Sequence, residues 1–423
     1  MILLLDLDGT LTNTAHANFK AMKDGKVETV LERIPLFNGA KEFVEKQKEK
    51  GNLPIIVSDS HPKYVNKIST EIFKVDCISL TDKPNIHKTK EYIEKTDILR
   101  ESFNNKDNFL IIGDSWLDIE LGRRLNIRTV LTKFYKATSI EERDGIGQDW
   151  KPIKMGPTFC VKNFDELYAV IDNPTYNLLA LESIFQGGNS SKAIDFKFQK
   201  YSNGFTAFRC LARQNDGECD RFARADKYYQ IDNPNRTSQF LERLAKSAEN
   251  YINQVLTFNK YSWDYFTYVP DKSTTKPANK MKEIFDLVNV PVNKALLFKW
   301  NDNIVGKLRN RPDYATRRKF ISENLFFDNS FDVKGKSIIV LDDQFTSSAT
   351  AYEISSQLRK NGATNVLFIA LFYLILHIES KACPKCGKPL KIKIKKIDGK
   401  RFYSCMPPKF GGNGCGHIEN ITE

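Results

Sequence analysis

Leu3-Leu4-Leu5-Asp6-Leu7-Asp8-Gly9-Thr10-Leu11-Thr12 sets an apolar run directly against two carboxylates and a glycine. Four apolar residues from Ile2 to Leu5 suit a strand buried on both faces, the environment of a parallel sheet. The acids stand two apart, so they share one face if the strand continues through them. Gly9 then supplies a turn that brings backbone N–H groups near them. Two carboxylates at the carboxyl edge of a parallel sheet are well placed to hold Mg²⁺ and a phosphate.

Working outward, the pattern repeats. Leu53–Val57, Cys77–Leu80, Phe109–Ile112 and Thr129–Leu131 read as strands, with helical patterns at Ala40–Lys50 and Pro62–Phe73 between them. This alternation predicts a doubly wound parallel sheet. The second strand runs into Ser58, a hydroxyl donor for a phosphate oxygen. The strand at 109–112 runs into Gly113-Asp114-Ser115-Trp116-Leu117-Asp118, and Lys83-Pro84 lies between the two.

Strand, acid pair, hydroxyl, lysine and distal acids in this order resemble the haloacid dehalogenase-like phosphatase family over residues 1–173. The resemblance implies an aspartyl-phosphate mechanism. Asp6 is then the nucleophile and Asp8 the general acid and base. Mg²⁺ binds the Asp6 side chain, the Asp8 backbone carbonyl and Asp114, and Asp118 orients the metal shell. Ser58 and Lys83 hold the phosphoryl oxygens. Lys88 and Lys90 are close enough in sequence to take the place of Lys83. Only Asn13 to Ile34 separates the acid pair from Pro35-Leu36-Phe37-Asn38-Gly39, so a minimal cap and an open site are expected.

A second α/β block is expected from a long amphipathic helix over Ser238–Leu256 and strands at Asp264–Val269, Ala295–Phe298, Ser337–Leu341 and Asn365–Leu374. Its chemistry concentrates in Asp342-Asp343-Gln344-Phe345-Thr346-Ser347-Ser348-Ala349-Thr350, followed by a helix through Lys360. Adjacent acids suit a vicinal diol, and a hydroxyl-rich loop opening a helix suits a terminal phosphate. The string resembles the 5-phosphoribosyl-1-pyrophosphate (PRPP) motif of type I phosphoribosyltransferases, in particular the ComF-like branch, over residues 236–380. On that resemblance Asp342 and Asp343 bind ribose hydroxyls, while Thr346, Ser347, Ser348, Ala349 and Thr350 wrap the 5′-phosphate. Tyr268-Val269-Pro270-Asp271-Lys272 falls at the pyrophosphate loop, and Arg309 to Phe326 at the flexible loop. The family usually has glycine where this chain has Ser348. Residues 174–235 read as a connecting or hood region.

Cys383-Pro384-Lys385-Cys386, then Cys405 and Cys415, frame an insert of alternating Ile and Lys with Asp398-Gly399 as a hairpin turn. Two cysteine pairs on two knuckles suit tetrahedral Zn²⁺, with His417 as a substitute ligand. The stretch 381–423 is similar to the zinc ribbons at the ends of type IA DNA topoisomerases, which implies a structural zinc. Cys210 and Cys219 have no partner pair at ligand spacing, and Cys77 and Cys160 are expected in the core.

The chain has 423 residues, 41% of them hydrophobic, and a net charge of +12. Residues 381–423 carry +7 of that charge, leaving +5 for the other 380. Lys391, Lys393, Lys395, Lys396, Lys400 and Arg401 beside Phe402 and Tyr403 make a single-stranded DNA or RNA platform, or a solvated basic hairpin that docks on the rest of the chain. Ile2–Leu5 runs into Asp6 too soon for a secretory signal. The apolar run Val366–Leu376 is shorter than the roughly 20 residues of a membrane helix. A cytoplasmic protein without membrane partners is expected. Two readings of function follow. One is a bifunctional ribose-phosphate or nucleotide enzyme that joins Mg²⁺-dependent phosphomonoester hydrolysis to PRPP-linked phosphoribosyl transfer. The other is a nucleic-acid end-processing phosphatase, with the ribbon as its grip and a PRPP-sensing, non-catalytic transferase fold.

Overall fold

The computed structural model describes residues 1–135, 150–214, 231, 235–258, 261–272, 279–301, 314–376, 378, 383–388, 390–394, 401–407 and 414–420. The chain forms two compact units, Met1–Pro174 and Thr175–Glu423.

The first unit is built on six strands: β1 (Ile2–Leu5), β2 (Leu53–Val57), β3 (Asp76–Ile78), β4 (Phe109–Gly113), β5 (Arg128–Thr132) and β6 (Phe159–Val161). They form one parallel sheet in the order β3-β2-β1-β4-β5-β6. All four residues of β1 are buried, as expected for a strand covered by helices on both faces. The helix Ala40–Glu49 buries Ala40, Phe43, Val44 and Gln47, an i, i+3, i+4, i+7 stripe. From β1 the chain steps outward to β2 and β3, then returns to place β4 on the other side of β1. The crevice between the carboxyl ends of β1 and β4 is therefore the switch point at which such sheets bind ligands.

The 13–34 insert contains only the short helix Lys20–Lys23 and two 3₁₀ turns, Ala17–Phe19 and Leu31–Arg33. It is tied along the helix Pro62–Ile68: His61 N donates to Lys23 O at 2.8 Å and Lys67 Nζ to Thr29 O at 2.9 Å. Strand β3 stops at Ile78 rather than Leu80, because Leu80 turns with φ +50°. Cys77 and Cys160 are half-buried rather than core, since β3 and β6 are the two edges of the sheet. Cys210 is buried, and Cys219 lies outside the described residues.

The second unit contains β7 (Ile194–Tyr201), β8 (Gly204–Cys210), β9 (Arg213–Gln214), β10 (Tyr265–Tyr268), β11 (Asn293–Lys294), β12 (Phe298–Trp300), β13 (Leu325–Phe327), β14 (Ser337–Phe345) and β15 (Asn365–Leu374). The main sheet runs β11-β10-β14-β15-β8-β7, with β9 also beside β15 and only β7 antiparallel. Thus the stretch read as a connector supplies three strands to this sheet. Of the expected strand Ala295–Phe298 only Phe298 is in a strand, because β11 ends at Lys294 and β12 begins at Phe298; β12 pairs with β13 in a separate ribbon. The helix Ser238–Phe258 buries Leu244, Ala248 and Ile252 in a core with Phe266, Ile339 and Ile369.

At the C-terminal end, β16 (Lys391–Ile394), β17 (Arg401–Ser404) and β18 (Ile418–Asn420) form a three-stranded antiparallel sheet. The Asp398-Gly399 turn, Lys395, Lys396, Lys400 and residues 309–313 lie outside the described residues. No helix among the described residues is long and apolar enough to cross a membrane.

Candidate active site and metal centres

Register brings the acids together. Leu5 pairs with Ile112 and Leu4 with Ile111, so Asp6 leaves β1 level with Gly113, and its N–H donates to Ile112 O at 2.8 Å. Carboxylate oxygens of Asp6, Asp114 and Asp118 lie within 4.8 Å of one another. Two glycines make the approach possible. A Cβ at Gly9, where φ is +95°, would collide with the Asp114 carboxylate, and one at Gly113 would collide with that of Asp118. Asp118 is held from its own helix, Trp116–Arg124: its Oδ2 accepts from Ser115 N at 3.1 Å and Ser115 Oγ at 2.8 Å.

Lys83 reaches into this cluster. Its Nζ lies 2.6 Å from Asp6 Oδ1 and 2.6 Å from Asp118 Oδ1, with all three side chains buried. Lys88 instead donates to Leu80 O and Lys90 faces Glu94, both on the exposed side. Burial would lower the Lys83 ammonium, but the carboxylates of Asp118, Asp6 and Asp59 outweigh it and hold the pKa well above the usual lysine value. Burial pushes the Asp6 carboxyl well up; Lys83 pulls it down, and Asp118 and Asp114 push it up again. Three carboxylates against one ammonium leave an excess of negative charge in a buried site. Hard oxygen donors carrying that excess fit a Mg²⁺ ion, which would be held by Asp6 and Asp114 with Asp118 behind them.

Asp8 turns its carboxylate to a cluster of hydroxyls. Thr14 Oγ1 donates to Asp8 Oδ1 at 2.6 Å, Tyr64 Oη to the same oxygen at 2.9 Å, and Ser60 Oγ to Oδ2 at 2.9 Å. Burial and the neighbouring Asp8 carboxylate push the Tyr64 phenol up, so it stays a donor. Ser58 is buried at the end of β2, where its Oγ accepts from Ser60 N at 3.1 Å. Asp59 ties the loop after β2 to the turn after β3: its Oδ1 accepts from Thr81 Oγ1 at 2.5 Å and from Lys83 N at 2.9 Å. Thr14, Asp59, Ser60 and Tyr64 were not singled out in the sequence. The signal available was weak, a density of hydroxyls just after each strand end.

In the second unit, Asp342 and Asp343 sit near the carboxyl end of β14. Asp342 is buried, and burial together with Asp343 pushes its carboxyl well up. Asp343 Oδ2 pairs with Lys280 Nζ at 2.6 Å. Asp271 accepts from Met281 N at 2.7 Å, and its carboxyl is pushed up to about 6, chiefly by burial. Thr346, Ser347 and Ser348 then lead into the helix Ala349–Lys360. Ser348 has φ +64°, the left-handed conformation that favours glycine. Arg317 Nη1 reaches Thr346 Oγ1 at 3.5 Å, and Arg318 pairs with Glu353.

The sulfurs of Cys383, Cys386, Cys405 and Cys415 also lie within 4.8 Å of one another. Cys383 and Cys415 are 3.7 Å apart, and Cys386 and Cys405 3.4 Å. A tetrahedral site with Zn–S of roughly 2.3 Å needs sulfurs about 3.8 Å apart, so the four thiols fit Zn²⁺. His417 stands outside this set; its backbone carbonyl accepts from Cys405 N.

No protein-family model and no curated protein matches the chain. Its N-terminal part is similar in structure to several solved proteins. A hydrolase from Pseudomonas syringae is 16% identical, with a TM-score of 0.30, over 40% of this chain and 98% of that one. A predicted phosphatase from Clostridium acetobutylicum is 18% identical, with a TM-score of 0.29, over 40% and 97%. A protein from Lactobacillus delbrueckii subsp. bulgaricus, assigned as a phosphoglycolate phosphatase, is 20% identical with a TM-score of 0.26; the match covers 33% of this chain and about half, 54%, of that one.

Proposed function

We propose that residues 1–174 hydrolyse phosphomonoesters through an aspartyl-phosphate on Asp6. The observation that supports this reading is the convergence of the Asp6, Asp114 and Asp118 carboxylates on Lys83 Nζ at the switch point of the sheet. An Asp6 oxygen attacks phosphorus, the P–O ester bond breaks, and the leaving oxygen takes a proton from the Asp8 carboxyl. Water then adds to the acyl phosphate, gives its proton to Asp8 and releases Asp6 and inorganic phosphate. Ser58 and Lys83 hold the equatorial oxygens as charge develops. Bound Mg²⁺ would screen the like charges of nucleophile and phosphate. With only a short insert over the site, a broad range of phosphorylated small molecules or nucleotides fits.

The second unit is read as a ribose-phosphate site. Asp342 and Asp343 take the diol of PRPP, and residues 346–350 its 5′-phosphate. What favours it is the adjacent acid pair followed by a left-handed residue and a helix start. The chain would then join phosphoribosyl transfer, or its reverse, to phosphate removal. Single-stranded nucleic acid as a partner of residues 381–423 rests on their charge and aromatic composition.

The test is Mg²⁺-dependent release of inorganic phosphate from a panel of nucleotides and sugar phosphates, with and without PRPP. Wild type should turn over at least one of them and Asp6→Asn none. No release from any substrate would overturn the hydrolase reading, and unchanged PRPP binding by Asp343→Ala would overturn the ribose site.

A further inference from the structure

The hydroxyls around Asp8 are more than a chance cluster. A carboxylate offers about four lone-pair sites, two on each oxygen. Thr14 and Tyr64 occupy both sites on Oδ1, and Ser60 occupies one on Oδ2. One site is left, on Oδ2. The three donors come from three places: the turn after β1, the loop after β2 and the helix Pro62–Ile68. Tyr64 is fully buried, and its Oη lies 3.0 Å from Thr14 Oγ1 as well as 2.9 Å from Asp8. With the Thr14 proton on Asp8, Thr12 Oγ1 donates its own to Thr14 Oγ1 at 2.6 Å, and Thr12 is held by its N–H, which donates to Leu7 O at 2.9 Å. The cluster is thus anchored to the backbone at one end and to a core ring at the other, and it leaves the Asp8 side chain little rotational freedom.

Resting on the hydrolase reading above, we infer that Tyr64 and Ser60 are positioning residues that lock the Asp8 carboxylate in one rotamer and leave a single Oδ2 lone pair to exchange the proton with the leaving group and the attacking water. Neither touches substrate in this account. Their contribution is orientation, which matters only in steps where Asp8 moves a proton.

The discriminating experiment compares leaving groups. Wild type, Tyr64→Phe and Ser60→Ala are assayed with an alkyl phosphate, whose leaving oxygen needs protonation, and with 2,4-dinitrophenyl phosphate, whose leaving group does not. Single-turnover rates of phosphoryl transfer to the enzyme are the readout. Tyr64→Phe should lose about 10- to 100-fold on the alkyl ester, a part of the roughly 10²–10⁴ that general acid–base catalysis supplies. It should lose less than about threefold on the activated ester, with KM little changed on both. Ser60→Ala, at a half-buried position, should show the same split if Tyr64→Phe does not fold. Equal losses on both esters, or none, overturn the assignment. If wild type turns over neither, the hydrolase reading itself has failed. The positioning is then decided by crystal structures of wild type and Tyr64→Phe: an Asp8 carboxylate in the same rotamer in both overturns it, and a displaced one supports it.

Discussion

Lys83 illustrates how one residue can balance opposing forces. Its desolvation is unfavourable, and three carboxylates compensate for it. Removing the ammonium therefore leaves Asp6 and Asp118 buried without their cation. Lys83→Ala is expected to abolish turnover and to destabilise the first unit by about 3 kcal/mol in the absence of Mg²⁺. Saturating Mg²⁺ should restore part of that stability, because it replaces the missing positive charge; thermal denaturation with and without the ion measures both effects. Asp271 gives a residue-scale prediction of pH dependence. Its carboxyl is pushed up to about 6 in the folded protein against roughly 3.9 unfolded. The folded state therefore binds the proton more tightly. The resulting stability is full below about pH 4 and is lost as pH rises towards 6. In Asp271→Asn that part of the decline, on the order of 2–3 kcal/mol for a pKa raised by about two, should vanish from denaturation curves taken across pH 4–7.

At the scale of elements, the strand ends were the legible part. Apolar runs broken by an acid or a hydroxyl marked β1, β2, β4 and β14, because burial on both faces leaves a continuous hydrophobic signature. The placement of Asp6, Ser58 and Asp114 on one sheet edge then follows from register alone. Lys83 could not be told from Lys88 and Lys90 in the sequence; the turn through Leu80 and Asp82, both at positive φ, aims the first inward and leaves the others outside. Tyr64 was hidden because its role is a contact across 56 residues to Asp8. The hairpin β7–β8 was readable and was missed. Ile194, Phe196 and Phe198 alternate with polar residues, and Ser202-Asn203, followed by Gly204, makes the turn. Ser348 supplies a prediction at this scale. A serine at φ +64° costs about 1 kcal/mol relative to glycine. Ser348→Gly should raise the stability of the helix start by about that amount in chemical denaturation and should not weaken PRPP binding. The C-terminal cysteine cluster supplies another: one zinc per chain by elemental analysis, lost with Cys405→Ser, along with the ordered amide signals of residues 401–407 and 414–420.

For the whole molecule, the uneven charge separates two kinds of chemistry. The +7 of residues 381–423 is over half of the chain's +12, while the acids of the first unit gather around one buried ammonium, Lys83, and Asp343 pairs with Lys280. Affinity for a single-stranded oligonucleotide is expected to fall steeply as salt rises, and replacing Lys391, Lys393 and Lys395 by alanine should reduce that log–log slope by about two. Turnover of a small phosphomonoester should not change in the same variant. A flat salt dependence in wild type would remove nucleic acid from the list of partners.

The strand order of the first unit also dictates a timetable. Strand β1 lies in the middle of its sheet yet contributes the first residues, and its neighbours arrive from opposite directions. As a ribosome extends the chain, Asp6 and Asp8 emerge first, the hydroxyls of 58–64 next, then Lys83, and only at the end Asp114 and Asp118. At about 5–20 residues per second, roughly 6–20 s separate Asp6 from Asp118. During that interval β1 has β2 on one side and an empty edge on the other. The three acids of the cluster thus meet only when β4 closes that edge, before β5 and β6 extend the sheet.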